Sequence, residues 1–157
     1  MLLFGHIGIT LFIASLFFLP VLGAVVGVLL PDIIDKGMFV LGIWPCSRFI
    51  AHTVFFFPVA GLVTYAITRN KKLAIAVALG ALLHISQDVH DFVPFFYPVV
   101  QYDFAALCPT TIQIVFTPYV IATETIGLVL LIFVLGFNDK FVQVRRLFWK
   151  LLGRKHD

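Results

Sequence analysis

Four long apolar runs divide the chain and carry few charged residues. They cover approximately residues 2–30, 49–68, 73–92 and 112–137. A membrane-spanning helix needs about 20 consecutive apolar residues, so each run is long enough to cross a bilayer as a helix. The pattern therefore predicts an all-α integral membrane protein, with about four spans in a transmembrane helical bundle over residues 1–137.

The first run is interrupted near its middle. Pro20 removes a backbone donor and opposes helix continuation, and Gly23 and Gly27 follow it. Residues 2–30 therefore form either one kinked span or two short helices in a hairpin. The choice decides where His6 lies.

The composition favours the same class of protein. Hydrophobic residues make up 61% of the 157 and charged residues 12%, and the mean hydropathy of +1.07 excludes an ordinary soluble domain. The N-terminal segment lacks the basic region of a signal peptide, so we interpret it as a retained helix.

Basic residues indicate the orientation of the bundle. They cluster at residues 69–72 and again at residues 140–155. The positive-inside rule places both clusters in the cytoplasm and leaves residues 31–47 and 93–111 outside. We therefore expect an inner (plasma) membrane protein with a cytoplasmic C-terminus.

The sequence predicts a separate basic tail over residues 138–157. Apolar and basic side chains recur there at helical spacing, which predicts an amphipathic cytoplasmic helix lying on the anionic leaflet. A tail that only sets the topology is the alternative. The basic residues are few and no nucleic-acid-binding motif accompanies them, so we expect membrane lipids as partners and no nucleic acid.

Ionisable side chains within or beside the apolar runs are the candidates for function. A charge at membrane depth is costly unless it is paired, hydrated or bound to metal. His and Asp are ligand types of zinc and manganese sites, and polar side chains that only satisfy one another are the alternative. His84 and Asp88 are four residues apart and share one helix face, which Asp91 continues. The predicted topology brings this pair to the outer membrane boundary together with Asp32, Asp35 and His52.

The order and spacing of these residues resemble a known family. The matching segments are Gly5-His6, Leu29-Leu30-Pro31-Asp32, Arg48 with His52-Thr53, and His84-x-x-x-Asp88. They resemble the LexA-regulated, membrane-bound metal-dependent hydrolases, the YdjM-like family. The resemblance implies a small helical membrane protein with a divalent metal, which hydrolyses a phosphoester or a related lipid bond. It also implies five metal ligands, namely His6, Asp32, His52, His84 and Asp88.

Metal-assisted hydrolysis assigns further roles. The metal would polarise the scissile group and activate a water molecule. We expect Asp35 or Asp91 to accept the proton of that water, and Arg48 to hold a substrate phosphate. A lipid is the expected substrate because the site lies at the depth of the headgroups.

Two motifs depart from the family pattern. The family usually has Pro-Asp-x-Asp-His where this chain has Pro31-Asp32-Ile33-Ile34-Asp35, and His-Arg-Gly-x-Thr-His-Ser where it has Ser47-Arg48-Phe49-Ile50-Ala51-His52-Thr53. The alternative function is a non-catalytic structural or accessory membrane subunit, with or without a metal. Such a subunit would act in a larger complex or a homo-oligomer. Ion translocation through Glu124 is a third hypothesis.

The two cysteines fall in the two segments that we place outside. An exported face is oxidising in many cells, so we expect a disulfide between Cys46 and Cys108. Two unpaired thiols, buried as small apolar groups, are the alternative.

The orientation gives a testable prediction. A cysteine introduced at Asp103 should react with a membrane-impermeant reagent in intact cells, because residues 93–111 are expected outside. A cysteine introduced at Asn70 should not react until the membrane is permeabilised. Labelling at Asn70 with none at Asp103 would reverse the orientation.

Overall fold

The computed structural model describes residues 3–108 and 115–136, with the isolated positions 142 and 146. The described residues form helices and no strand, which confirms the all-α class. The predicted tail over residues 138–157 lies outside them except at those two positions. The helices are α1 (Leu3–Leu16), α2 (Val21–Val40), a 3-10 helix (Ile50–His52), α3 (Phe56–Thr68), α4 (Lys71–Gln87), α5 (Phe104–Leu107) and α6 (Pro118–Gly136).

The first apolar run forms a helical hairpin and not one kinked span. The chain turns between Leu16 and Val21, where Phe18 adopts a left-handed conformation with φ 56° and Pro20 precedes the first turn of α2. Pro20 fits there because the first turn of a helix leaves backbone donors unused. At 1.5 Å per residue, His6 lies about 15 Å from the turn along α1 and Asp32 about 17 Å along α2. The hairpin therefore brings these two side chains to the same level.

A second hairpin joins α3 and α4. Arg69 ends α3 in a left-handed conformation, and the Asn70 side chain accepts a hydrogen bond of 3.1 Å from the Leu73 amide at the start of α4. This Asn cap satisfies one of the free donors at the helix N-terminus. The residues before α3 and after α4 consequently meet at the end opposite the turn.

Small residues let the helices approach backbone to backbone. A Cβ added at Gly80 of α4 would lie 2.6 Å from the Ala24 carbonyl oxygen of α2. A Cβ on Gly8 of α1 would meet the Gly127 backbone of α6, and a Cβ on Gly127 would meet the backbone of Phe4 and Gly5. Contacts of this kind are common between membrane helices, whose association depends on close packing.

Helix α6 is the only described helix that is long and apolar enough to cross a membrane. It has 19 residues and a mean hydropathy of 2.2, and little of it is buried inside the bundle. Helix α2 is 20 residues long but contains Asp32, Asp35 and Lys36. Helices α1 and α3 are apolar but shorter.

The predicted disulfide is present and the alternative of free thiols is wrong. Cys46 and Cys108 are bonded, with 5.6 Å between their Cα atoms. Aromatic rings pack beside the bond: Phe49 lies 5.0 Å from both Tyr97 and Phe104, measured between ring centroids. The bond thus ties the segment before the 3-10 helix to the segment after α5.

Glycine substitutions on α2 should separate packing from helix propensity. In Gly27→Ala the new Cβ would lie 2.8 Å from the Val77 Cα of α4, so we expect a loss of about 1–3 kcal/mol. In Gly37→Ala no described atom lies within 4 Å, and the substitution should gain up to about 1 kcal/mol. Denaturant unfolding in detergent measures both. Equal effects would contradict the close approach of α2 and α4.

Reduction of the disulfide should destabilise the fold. The two cysteines are 62 residues apart, and the chain-entropy model gives about 4 kcal/mol for a loop of that size. The Cys46→Ser, Cys108→Ser double variant should show the same loss without reductant. Mass spectrometry after alkylation of unreduced protein checks the bond itself. Full alkylation of both cysteines before reduction would exclude it.

Candidate metal centre

The five predicted ligands meet at one end of the bundle, although they come from four elements. His6 lies on α1, Asp32 on α2, His52 on the 3-10 helix and His84 near the end of α4, with Asp88 directly after α4. The three histidines and Asp88 are buried, and the Asp32 side chain is 25% exposed. Their ligand atoms form two overlapping triads that could hold a metal ion. The triads are His6, His84 and Asp88, and Asp32, His52 and His84.

The second triad has the spacing of a coordination sphere. The Nε2 atoms of His52 and His84 are 3.2 Å apart, and each lies 3.5 Å from Asp32 Oδ1. Asp88 Oδ2 is 3.8 Å from His52 Nε2 and 3.9 Å from His84 Nε2. Four ligands about 2.1 Å from a tetrahedral zinc would lie about 3.4 Å from one another. The three atoms of this triad therefore lie at nearly the distances that a zinc ion requires, whereas Asp88 Oδ2 is farther away and also accepts from Arg48.

His6 closes the cluster from the side of α1. Its ring stacks on His84 with 4.2 Å between centroids and 14° between planes, and its Nε2 is 3.2 Å from Asp88 Oδ1. His6 could reach the other ligands only if the first apolar run formed a hairpin, and the structure has that hairpin.

Several buried ligand atoms have no hydrogen bond to any described residue. They are both ring nitrogens of His6, Nδ1 of His84 and Oδ1 of Asp32. An unsatisfied buried polar atom costs about 1–3 kcal/mol, so an orphaned group needs an explanation. A cation would satisfy Asp32 Oδ1, which lies 3.5 Å from the Nε2 atoms of His52 and His84. The residues present thus fit a divalent metal.

Two basic side chains flank the ligands. Lys36 Nζ donates to Asp32 Oδ2 at 2.6 Å, and Arg48 Nε donates to Asp88 Oδ2 at 2.9 Å. In each aspartate one oxygen therefore faces a basic side chain while the other faces histidine. The spacing of four between Asp32 and Lys36 was visible in the sequence, but Lys36 was not assigned a role. The partner of Arg48 could not be predicted without the fold.

The cluster has an excess of negative charge. The carboxylates of Asp32, Asp35, Asp88 and Asp91 outnumber the two cations by two when the histidines are neutral. One divalent cation would neutralise that excess. Charge balance therefore fits a single metal ion.

The residues with predicted catalytic roles lie around the ligands. Asp35 is fully buried and contacts His52, with 2.7 Å between its Oδ2 and the His52 Nδ1. Arg48 also donates from Nη2 to Asp91 Oδ2 at 2.8 Å, and the Asp91 side chain is 49% exposed. The guanidinium predicted to hold a phosphate is thus held by two carboxylates. The catalytic roles of all three residues stay predictions.

Neighbouring charged groups outweigh burial at two side chains that lie between the helices. Burial lowers the pKa of His52, but its contacts with Asp32 and Asp35 outweigh burial and raise that pKa above its ordinary value. Burial raises the pKa of Asp88, but the close contact with His6 and the charge of Arg48 outweigh burial and hold that pKa well below the usual range. Asp88 is therefore an ionised carboxylate at neutral pH, as a metal ligand must be.

Glu124 belongs to α6, and its side chain contacts the N-terminus of α1. Its Oε2 accepts a hydrogen bond of 2.9 Å from the Phe4 amide, two residues before His6. This contact satisfies a free donor of the first helical turn and places a negative charge at the positive end of the helix dipole. The role of Glu124 in ion translocation stays a hypothesis.

No family model, curated protein or solved structure matches this chain. The resemblance to the YdjM-like hydrolases therefore stays a prediction.

Proposed function

We propose that the protein is a membrane-embedded, metal-dependent hydrolase that acts on a phosphoester or a related lipid bond at the outer membrane boundary. The observation that carries the proposal is the spacing of the ligand atoms of Asp32, His52 and His84, which approaches that of a zinc coordination sphere, with Asp88 beside them as the fourth ligand candidate. His6 is the fifth ligand candidate. Manganese, which also takes nitrogen and oxygen ligands, is the second choice of metal.

In this proposal the helices form a bundle in the inner (plasma) membrane. Helix α6 crosses it, α3 and α4 form a pair whose turn faces the cytoplasm, and the hairpin of α1 and α2 enters from outside. At 14 residues α1 is about 21 Å long, which is shorter than the roughly 30 Å hydrocarbon core. Large exposed apolar side chains on α2, α3 and α6, such as Leu22, Leu62 and Leu135, then face lipid.

The side chains around the cluster define the chemistry. A divalent ion at such a site supplies polarisation of the phosphoryl group and activation of a water molecule. Asp91 is the better proton acceptor because it reaches solvent, whereas both oxygens of Asp35 already accept hydrogen bonds from the segment 49–52. Arg48 would exchange a carboxylate for the substrate phosphate, since its guanidinium binds either anion through two hydrogen bonds.

A structural metal site is the second candidate, and a specific observation favours it. Structural zinc sites are closed by four protein ligands, whereas catalytic sites keep an open position. Here Asp32, His52 and His84 have the necessary spacing, and Asp88 and His6 lie beside them as further ligand candidates. A protein with this arrangement that binds metal without turnover would be an accessory subunit of a larger membrane complex or homo-oligomer.

The metal gives the decisive prediction. Purified protein should contain one equivalent of zinc or manganese. His84→Ala should lose that metal together with stability, because binding energy of the metal adds to the folded state. His90→Ala is the matched control, since His90 is exposed and contacts the Tyr119 ring instead. Elemental analysis that finds no stoichiometric metal in the wild type would contradict the proposal.

Hydrolysis separates the two candidates. The metal-loaded protein should release product from phospholipid in mixed micelles, and a chelator should abolish the release until the metal is restored. Stoichiometric metal without hydrolysis of phospholipid, lysophospholipid or phosphatidate would favour the accessory subunit. The His84→Ala and His90→Ala variants serve as negative and positive controls in the same assay.

A further inference from the structure

Asp35 is a buried carboxylate that belongs to neither ligand triad. It lies on α2 nearly one turn beyond Asp32 and has no exposed surface. A buried carboxylate is stable only when hydrogen bonds or opposite charges compensate its desolvation. The partners of Asp35 therefore indicate what it does.

Its partners are three backbone amides and one ring nitrogen of a short segment. Oδ2 accepts from the amides of Phe49 at 2.6 Å and His52 at 3.1 Å, and Oδ1 accepts from the amide of Ala51 at 3.0 Å. The fourth partner is the ring nitrogen Nδ1 of His52, 2.7 Å from Oδ2. Convergent backbone amides of this kind form an anion-binding concavity. The backbone amides of the 3-10 helix and of Phe49 thus point toward the Asp35 carboxylate.

The contact with Nδ1 determines which nitrogen of His52 faces the cluster. An ionised carboxylate only accepts hydrogen bonds, so Nδ1 carries the proton. The other nitrogen, Nε2, lies 3.2 Å from His84 Nε2 and 3.5 Å from Asp32 Oδ1. Metal-binding histidines in proteins usually donate their second ring N–H to a carboxylate in this way, which fixes the ring and makes the ligand more basic.

We propose that Asp35 is a positioning residue that orients His52 and presents its Nε2 to the metal. The proposal rests on metal binding in the proposed function, but not on hydrolysis. It also replaces the role of proton acceptor that the sequence suggested for Asp35. A carboxylate that accepts from Phe49, Ala51 and both donors of His52 has no exposed oxygen to offer a water molecule.

Asparagine at position 35 keeps the shape of the side chain but replaces one accepting oxygen with an NH₂ group. Both oxygens of Asp35 receive hydrogen bonds, so either orientation of an amide would turn its NH₂ group toward an N–H donor. Asp103→Asn is the matched control. Asp103 caps the exposed helix α5 through Ala106 and has no contact with His52 among the described residues.

A double-mutant cycle distinguishes positioning from a merely structural role. Zn²⁺ affinity is measured by chelator competition for the full chain in detergent, as wild type, Asp35→Asn, His52→Ala and the double variant. Asp35→Asn should lower the affinity about 10- to 100-fold, as loss of such partners generally does. In the His52→Ala background the same substitution should change it less than about twofold, and Asp103→Asn should not change it.

Each other outcome overturns the proposal. An equal loss in both backgrounds would mean that Asp35 only shapes the segment 49–52, and unchanged affinity in Asp35→Asn would mean that it has no role. Lack of Zn²⁺ binding by the wild type would defeat the proposed function as well, so the two failures can be told apart.

A measurement on the wild type covers the case in which Asp35→Asn does not fold. In Zn²⁺-loaded protein with ¹⁵N-labelled histidine, the His52 ring should show a proton on Nδ1 in slow exchange with water. The signal is assigned by its loss in His52→Gln. A proton on Nε2 would overturn the proposal.

Discussion

Burial of ionisable groups is the constraint on which the rest of this structure depends. Each ion moved from water into a protein interior costs several kcal/mol after relaxation, and that cost is recovered only through pairing and hydrogen bonds. Here Asp35 and Asp88 are almost completely buried, together with the rings of His6, His52 and His84. The backbone amides around Asp35 and the guanidinium beside Asp88 compensate part of the cost. A cation would compensate a further part of the cost, because Oδ1 of Asp32 has no hydrogen-bond partner among the described residues.

The helical arrangement follows from the need to bring these groups together. Two hairpins, α1 with α2 and α3 with α4, both turn at the end away from the cluster. Their free ends therefore carry the ligands to one level. Glycines at the crossing of α2 and α4 remove the side chains that would hold the two backbones apart. The bond between Cys46 and Cys108 then holds the connecting segments over the same end.

The fold class and the proximity of His84 to Asp88 could be predicted because they depend on local pattern. Apolar runs predict helices, and a spacing of four places His84 and Asp88 on one face. The choice between a kinked span and a hairpin could not be made, because Pro20 suits either arrangement. The hydrogen bonds of Asp35 could not be predicted either. The backbone amides that donate to it lie 14 to 17 residues away along the chain and converge only when the 3-10 helix forms.

The balance between a structural and a catalytic site depends on the two basic side chains. Lys36 and Arg48 each neutralise a ligand carboxylate, which lowers the attraction of the site for a metal but leaves a positive charge beside it. Arg48 is the more suitable of the two for substrate binding, because its second hydrogen bond goes to Asp91, a side chain that is half exposed to solvent. An anion that displaced this contact would bind beside the metal without removing a ligand. A site closed by protein ligands would therefore still be compatible with a substrate that enters past Arg48 and Asp91.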